Sequence, residues 1–370
     1  MAHIVIAINT SWNVWNFRAG LVRALVADGH RVTALCPRDD YSDRLAELGA
    51  RHVTLRLDSS GVNPLVDARL FFRYRSKLRL LEPDVFLGWT VKPNVWGSLA
   101  AHSLGVAVIN NVSGLGTAFI RDTWLTAVVR RLYRAGLAAA PVTFFQNGDD
   151  RALFVEGGLV AAGRTAVLPG SGVDLARFAP APMPEGPPAF LLVGRVLRDK
   201  GVAEYAGAAR IVRAARPDAQ FRLLGTLDAL NRTAIPRATV EGWVAEGLVD
   251  YRGETDDVRP HLAAAHCVVL PSYRDGTPRT LLEAAATGRP LIATDVPGCR
   301  EPVEPGRNGL LARVRDPADL ARAMGAFLDL SDGARAAMGR ESRLIAQARF
   351  DERLVLDAYR GALAGIAAAR

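Results

Sequence analysis

Short apolar runs alternate with longer amphipathic stretches through the first third of the chain. The apolar runs predict strands at 4–8, 31–36, 52–57, 85–87 and 107–110. Between them, helical spacing of apolar residues and terminating glycines predict helices at 16–28, 43–48, 64–81 and 94–104. Because strands buried on both faces are apolar throughout, this alternation predicts a parallel sheet covered by helices.

The same alternation begins again after a proline-rich segment. Five prolines fall within residues 178–189 and predict a stiff connector, so we place the domain boundary there. Beyond it, strands are predicted at 190–193, 220–224, 249–251, 267–270 and 290–294. Helices are predicted at 202–215, 236–246, 257–264 and 280–287, and a helical tail begins at residue 317. We therefore expect two α/β domains, 1–178 and 189–351, with the C-terminal helix, about 352–370, able to pack back on the first.

Composition places the chain among ordinary globular proteins. Its 370 residues are 49% hydrophobic and 23% charged, which excludes a disordered, collagen-like or coiled-coil chain. Cys36, Cys267 and Cys299 are widely separated and predict buried thiols in a reducing compartment, not a disulfide or zinc site. The first apolar run lacks a basic leader, and no run is long enough to span a bilayer. We expect a cytoplasmic protein.

The net charge of +8 lies mostly in the first half of the chain. Residues 1–180 contain 20 Lys and Arg against 14 Asp and Glu, whereas the rest contains 26 against 24. An excess of cations suits nucleic acid, anionic lipid or phosphorylated ligands. Composition alone leaves these three classes of partner open.

A basic loop flanked by glycines follows the predicted strand 190–193. Gly194 allows the chain to turn and Gly201 relaxes the entry to the next helix. Between them, Arg195 and Lys200 place two cations beside a helix N-terminus, which suits a diphosphate group. Two solvated surface charges are the alternative interpretation of this segment.

A second polar loop, 271–278, follows the predicted strand 267–270. Thr277 suits the N-cap of the next helix and Pro278 its first position. The Glu283 carboxylate can accept two hydrogen bonds from vicinal hydroxyls such as those of a ribose, and Asp275 could contact a second polyol. The alternative is that both carboxylates only favour the helix N-terminus electrostatically.

Together, Gly194-Arg195, Lys200-Gly201 and Asp275-x7-Glu283 resemble the signature of the family 4 retaining glycosyltransferases. Segments 169–174, 284–301 and 308–311 are similar to further parts of that family. The resemblance implies a GT-B fold, in which two Rossmann-like, doubly wound α/β domains face an interdomain cleft. It also implies transfer of a hexose or N-acetylhexosamine from a nucleotide diphosphate donor, a UDP-sugar, with retention of configuration and without metal or other cofactor.

The resemblance assigns roles to the donor-site residues. It implies that Arg195 and Lys200 neutralise the diphosphate and that Glu283 holds the ribose. Asp275 replaces a glutamate of the family and would contact the transferred sugar, although its side chain is one methylene shorter. These four are the candidate catalytic residues. The remaining implied donor contacts are Gly194, Gly276, Thr277 and Pro278.

Segments 89–97 and 110–119 resemble one branch of that family. This branch contains N-acetylgalactosaminyltransferases that act on diacetylbacillosaminyl-diphosphoundecaprenol, and related capsule and O-antigen enzymes. It implies a polyprenyl-diphosphate-linked saccharide as the acceptor in bacterial surface glycan assembly. Many family members have a histidine after the fourth strand, where this chain has Lys92, so we expect Lys92 to meet the acceptor phosphate. The implied acceptor residues are Trp89, Thr90, Lys92, Asn94, Gly114 and Gly116.

The predicted helix 64–81 combines an apolar face with a basic one. Leu70, Tyr74 and Leu78 share the apolar face, whereas Phe72 and Leu80 fall among the cations. This pattern predicts shallow docking on the anionic inner leaflet of the cell membrane; an ordinary solvated face is the alternative. The predicted docking residues are Arg69, Phe72, Arg73, Arg75, Lys77, Arg79 and Leu80.

Three aromatic residues, Trp12, Trp15 and Phe17, follow the first predicted strand. They either stack on sugar rings of the acceptor or wedge the loop against its neighbours.

Two other functions compete with glycosyl transfer. A sugar-nucleotide epimerase on the same fold would need an acid and a base, and the histidine-poor first half disfavours it. A non-enzymatic basic module that binds nucleic acid is disfavoured because no recognisable nucleic-acid motif is present. We therefore expect residues 1–178 to serve the acceptor and membrane, residues 189–351 the donor, and no nucleic-acid partner.

Overall fold

A computed structural model of the chain describes residues 1–57, 64–114, 124–227 and 231–369. It divides into two compact units, Met1–Ser171 with Glu352–Arg370, and Gly172–Asp351. Each unit contains one parallel β-sheet with helices on both faces.

The first unit contains a seven-stranded sheet in the order β3-β2-β1-β4-β5-β6-β7. Its strands are β1 His3–Ala7, β2 Arg31–Cys36, β3 Ala50–Thr54, β4 Val85–Trp89, β5 Ala107–Val112, β6 Val142–Phe145 and β7 Thr165–Val167. Its helices are α1 Ser11–Phe17, α2 Ala19–Ala27, α3 Pro64–Leu81, α4 Ser98–His102, α5 Trp124–Leu137, α6 Gly148–Glu156 and α13 Glu352–Ala368. The prediction of a parallel sheet is confirmed, but the sequence analysis did not include β6 and β7, which are short.

The second unit contains a six-stranded sheet in the order β10-β9-β8-β11-β12-β13. Its strands are β8 Ala189–Val193, β9 Gln220–Leu224, β10 Asp250–Tyr251, β11 Cys267–Leu270, β12 Leu291–Thr294 and β13 Gly309–Ala312. Its helices are α7 Val202–Ala215, α8 Arg237–Ala245, α9 Arg259–Ala263, α10 Arg279–Ala286, α11 Pro317–Leu328 and α12 Asp332–Arg349.

Both sheets are buried on their two faces, as their apolar strands require. In β1, Ile4 and Ile6 pack into the core cluster that includes residues of α2 and α13. The alternate residues Val5 and Ala7 pack into the cluster beneath α3 and α4 on the other face. The three cysteines are free and buried, which confirms their prediction as core residues.

Two helices differ from their predicted bounds because of local backbone geometry. The helix predicted at 16–28 is two helices: α1 begins earlier because the Thr10 hydroxyl accepts a hydrogen bond from the Asn13 N–H, and the non-helical Arg18 separates α1 from α2. The helix predicted at 94–104 begins instead as one π-helical turn, Pro93–Gly97. There, Gly136 of α5 approaches so closely that an added Cβ would lie 2.6 Å from the Asn94 carbonyl oxygen.

The proline-rich segment 178–189 lies inside the second unit, so the expected domain boundary is wrong. The chain enters the second unit at Gly172, and Phe178 is already buried in that unit's core. Two arginines hold this segment through its carbonyl oxygens. Arg343 donates to the carbonyl of Phe178 at 2.8 Å, and the fully buried Arg289 donates to those of Ala181 and Pro182 at 2.7 and 2.6 Å.

Candidate functional site

The best-defined polar site lies at the carboxyl edge of the second sheet. Strands β8 and β11 are neighbours there, while the connections after them lead to opposite sides of the sheet. In open α/β sheets, ligands bind at such a switch point, outside the carboxyl ends of the strands. The predicted loops 194–201 and 271–278 follow these two strands, so the sheet topology brings the two sequence motifs together.

Close backbone contacts fix the two loops. Gly201, with φ +71°, has no room for a side chain because an added Cβ would overlap the Pro271 carbonyl. Gly298, with φ +81°, packs in the same way on the backbone of Asp275 and Gly276. The loops that follow β8, β11 and β12 therefore restrict each other's position through close backbone packing.

Lys200 and Asp275 form an ion pair across the two loops. The Lys200 Nζ lies 2.5 Å from Asp275 Oδ2, and both side chains are about one-fifth exposed. The buried Ser272 hydroxyl lies within hydrogen-bond distance of the same carboxylate oxygen, at 3.1 Å, and of the Asp199 carbonyl, also at 3.1 Å. Asp275 Oδ2 is therefore engaged within the protein, and the charge of Lys200 is largely balanced.

Arg195 differs from Lys200 because its side chain is exposed and open. Among the residues that the structure describes, it forms no hydrogen bond or ion pair with another side chain. Arg195 can therefore meet an anionic ligand without first breaking such a contact.

Glu283 lies on α10 and is paired with Arg279 one turn earlier. The Arg279 Nε is 2.7 Å from Glu283 Oε1, and the two side chains are 16% and 14% exposed. Burial raises the pKa of Glu283, while the cations Arg279 and Arg177 oppose this shift. Among the described residues, Glu283 Oε2 has no hydrogen-bond partner, so it could accept a hydrogen bond from a ligand hydroxyl.

Thr277 and Pro278 lie one position away from their predicted roles. Helix α10 begins at Arg279 with Pro278 as its N-cap residue, so Thr277 is not the N-cap. Thr277 and Gly276 are buried beside Asp275. Gly194 directly follows β8, and Gly225 packs directly against its carbonyl oxygen.

Sequence analysis missed two members of this site. Ser272 buttresses Asp275, and Arg279 pairs with Glu283. The i,i+4 spacing of Arg279 and Glu283 on a predicted helix is a signal that would have indicated their pairing. The contact of Ser272 depends on the path of the loop and leaves no such signal.

The expected acceptor residues lie at the carboxyl edge of the first sheet but differ in exposure. Trp89 and Asn94 are fully buried, so neither side chain is exposed at this edge, and their contact with the acceptor stays a prediction. Trp89 packs on Tyr359, and the Asn94 amide donates to the Asn111 carbonyl at 2.8 Å. Both side chains therefore support this edge of the sheet from inside the first unit.

Thr90, Lys92 and Gly114 remain near the surface of this edge. Thr90 has φ +64°, a rare conformation for a β-branched residue that often marks a functional position. The Lys92 Nζ is 2.8 Å from Asp67 Oδ1 of α3, so this cation is already paired. Gly114 has φ +145°, and Gly116 lies outside the described residues.

Helix α3 has the two faces that the sequence predicts. Leu70, Tyr74 and Leu78 are buried, whereas Phe72 and Leu80 are 69% and 80% exposed. Arg69, Arg73 and Arg79 are exposed, and Arg75 and Lys77 are half-buried. The Arg73 guanidinium also donates to the Arg56 carbonyl, and that of Arg75 to the Ser103 hydroxyl.

Neither a cluster of metal ligands nor a membrane-spanning helix is present in the described part of the chain. No group of three or more His, Cys, Asp or Glu side chains there could hold a metal ion. None of its helices has the length and apolar character needed to cross a bilayer.

Comparison with known protein families places this architecture in a class. Residues 14–171 match the model of the glycosyl transferase 4-like domain, and residues 187–329 match that of the glycosyl transferases group 1. The two matches follow one another and cover most of the chain. The chain belongs to the group 1, family 4-like glycosyltransferases and has their two-domain GT-B fold.

Individual relatives differ in what they act on. The chain is 26% identical over 335 residues to N,N'-diacetylbacillosaminyl-diphospho-undecaprenol alpha-1,3-N-acetylgalactosaminyltransferase of Campylobacter jejuni, with 86% of this chain and 87% of the relative covered. It is 34% identical over 191 residues to D-inositol 3-phosphate glycosyltransferase of an Arthrobacter species, with 48% of this chain and 44% of the relative covered.

Solved structures share the fold at low sequence identity. A sucrose-phosphate synthase from Thermosynechococcus elongatus has a TM-score of 0.82 and 20% identity, with both chains covered completely. The Anabaena protein HepE in complex with UDP-glucose has a TM-score of 0.78 and 17% identity, with 99% of this chain and 100% of that chain covered.

Proposed function

We propose that this glycosyltransferase moves a hexose or N-acetylhexosamine from a nucleotide diphosphate donor to a polyprenyl-diphosphate-linked saccharide. The proposal of a nucleotide diphosphate donor rests on four side chains at the switch point of the second sheet, namely Arg195, Lys200, Asp275 and Glu283. Two cations and two carboxylates, on adjoining loops and on helix α10, match a ligand that has a diphosphate between two polyols.

Each side chain has a role that follows from its surroundings. The open Arg195 binds the diphosphate and stabilises the leaving group, and Lys200 adds a second cation. The free oxygen of Glu283 accepts hydrogen bonds from the ribose. Asp275, held by Lys200 and Ser272, presents its other oxygen to the transferred sugar. The proposed donor is a UDP-sugar, because a protein of the same fold was solved with UDP-glucose.

The proposed acceptor rests on one relative that is similar along most of its length. The Campylobacter jejuni enzyme named above acts on a diphospho-undecaprenol-linked saccharide. Here Thr90 and Gly114, at the carboxyl edge of the first sheet, line the proposed acceptor site.

The proposed reaction retains configuration and uses no metal or other cofactor. Charge stabilisation by the cations and positioning of the two substrates supply the catalysis. An oxygen of the departing phosphate accepts the proton of the acceptor hydroxyl as the new glycosidic bond forms on the same face.

Helix α3 is the proposed membrane contact. Its exposed Phe72 and Leu80 would enter the interface of an anionic leaflet, while Arg69 and Arg79 add about 1 kcal/mol each near the surface. Flotation with phosphatidylglycerol vesicles tests this role. The double variant Phe72→Ser, Leu80→Ser should lose binding, whereas Leu354→Ser, at a residue 45% exposed on α13, should keep it. Equal binding of both variants would contradict the docking role.

The whole proposal is tested by incubating purified protein with a panel of UDP- and GDP-sugars and a polyprenyl-diphosphate-linked N-acetylhexosamine, with and without EDTA. We expect extension of the lipid-linked glycan in one donor reaction, unaffected by EDTA, with an axial or equatorial linkage matching that of the donor. Hydrolysis of every donor without transfer would overturn the proposed acceptor. An epimerised donor would identify a sugar-nucleotide epimerase instead.

A further inference from the structure

The three aromatic residues after β1 have different environments in the structure. Trp15 is half-buried, and the Arg44 guanidinium lies over its ring at 4.1 Å from the centroid. The same guanidinium also approaches the Tyr41 ring, at 5.3 Å. One face of Trp15 is therefore used to pack the loop, which is the wedge role.

Trp12, by contrast, remains 43% exposed. Its ring meets the Phe17 ring edge-to-face, with centroids 5.1 Å apart and an interplanar angle of 84°. Such a contact covers at most one face of the indole and restrains its orientation. An exposed, oriented indole face is chemically suited to stack on the apolar face of a sugar ring.

The backbone at Trp12 is also fixed. Its N–H donates to Asp39 Oδ2 at 3.0 Å, and Asp39 lies on the loop after β2. The Asn16 amide donates to the Trp12 carbonyl at 3.0 Å. A rigid aromatic side chain loses little entropy when a ligand binds, which favours its use as a contact.

The position of Trp12 in the sheet matches that of a ligand site. In the first sheet the switch point lies between β1 and β4, and Trp12 is in the first turn of the helix that follows β1. Thr90, the residue with a positive φ, follows β4. Trp12 thus lies at the start of one of the two connections at which this sheet would bind a substrate.

The charge beside Trp12 favours a neutral polyol over an anionic surface. The loop that binds its N–H contains the carboxylates Asp39 and Asp40. The nearby cations are already engaged, because Arg38 pairs with Asp43 at 2.7 Å and Arg44 lies on Trp15. Carboxylates accept hydrogen bonds from sugar hydroxyls but repel lipid phosphates.

We infer that Trp12 forms a carbohydrate subsite that stacks on a neutral sugar ring of the acceptor, with Asp39 beside it as a hydroxyl acceptor. This inference rests on the proposed function, since it assumes a saccharide acceptor. It assigns acceptor binding to Trp12 and structural packing to Trp15.

The kinetic test uses a short polyprenyl-diphosphate-linked disaccharide in detergent. Trp12→Ala should raise the acceptor KM about tenfold, while Trp12→Phe, which keeps a ring, should stay within about threefold. The donor KM and the rate of donor hydrolysis without acceptor should not change. Val167→Ala, at a residue 47% exposed on the far edge strand β7, is the control for loss of an exposed apolar side chain. An unchanged acceptor KM in Trp12→Ala would overturn the inference.

A binding measurement separates this inference from the proposed function. Protein labelled with 5-fluorotryptophan is titrated with soluble N,N'-diacetylchitobiose, and the Trp12 fluorine resonance is assigned from the Trp12→Phe variant. We expect the Trp12 signal to shift while that of Trp15 does not, even if no tested acceptor is extended. No shift at saturating disaccharide would overturn the subsite. Loss of vesicle binding by Trp12→Ala, with an unchanged acceptor KM, would assign Trp12 to a lipid surface instead.

Discussion

Replacing Gly298 by alanine should disrupt the donor site through one backbone contact. Gly298 has φ +81°, and its Cα faces the carbonyl oxygens of Gly276 and Asp275. Real Cβ atoms keep about 3 Å from such an oxygen, and an added Cβ would lie at about half that distance. The loop 271–278 must therefore move by about 1.5 Å or the alanine cannot be placed.

A displacement of that size is large for a binding site. A shift of about 1 Å in a positioned group can cost about 100-fold in rate. Asp275 is adjacent to the displaced carbonyl and forms the ion pair with Lys200. We expect Gly298→Ala to weaken UDP binding at least tenfold and to lower the transfer rate about 100-fold.

The chain offers a matched control for the conformational cost. Gly306 lies in the same unit with φ +80°, and an added Cβ there would meet nothing within 4 Å. Gly306→Ala should lose about 1 kcal/mol of unfolding free energy from the positive φ alone and keep its UDP affinity. Calorimetric titration with UDP and urea unfolding compare the two variants. Equal UDP affinity in both would refute the argument that this contact positions the loop.

Three further predictions concern single side chains. Arg195→Ala should lower kcat about 100-fold without changing the melting temperature, because its side chain has no partner to lose among the described residues. Arg198→Ala on the same loop should keep kcat. A small effect of Arg195→Ala on the steady-state rate would contradict the leaving-group role. The Arg322 guanidinium and the Arg313 N–H hold the pKa of Asp319 below its usual value, so Asp319→Asn should cost about 2 kcal/mol at neutral pH in urea unfolding. That stability is present above the ordinary carboxyl pKa, so the difference from wild type should close as the pH falls below about 4. Tyr359→Phe should cost about 1 kcal/mol in thermal unfolding because the Asn111 amide loses its acceptor, and an unchanged melting temperature would contradict this.

The donor loops could be predicted from sequence because their signals are local. Gly194, Arg195 and Lys200 directly follow an apolar strand, and so do the polar residues around Asp275. A parallel sheet brings the carboxyl ends of its strands to one edge, so the strand pattern was sufficient to place these loops together. The pairing of Lys200 with Asp275 adds what the pattern could not give, namely which charges are balanced and which remain open.

The first unit shows where sequence reasoning fails. Motif similarity gave the positions of Trp89 and Asn94 but not their burial, which depends on packing against distant parts of the chain. Asn111 and Tyr359, for example, are hydrogen-bonded across 248 residues. The domain boundary predicted at the proline-rich segment was misplaced for a similar reason. Arg289 and Arg343 attach this segment to the second unit through contacts that composition does not reveal.

The return of α13 to the first unit has a consequence for synthesis on the ribosome. Val355, Tyr359, Leu363 and Ile366 complete a core whose other residues, such as Ile4 and Ile6, are translated before the second unit. The second unit is complete at Asp351, before these side chains have emerged. Of the two units, the one whose translation begins first is therefore completed last, and its nascent chain must keep an apolar face uncovered until α13 has been made. A truncated chain would leave that face unfilled permanently, which gives chaperones and proteases a direct means to distinguish unfinished molecules from finished ones.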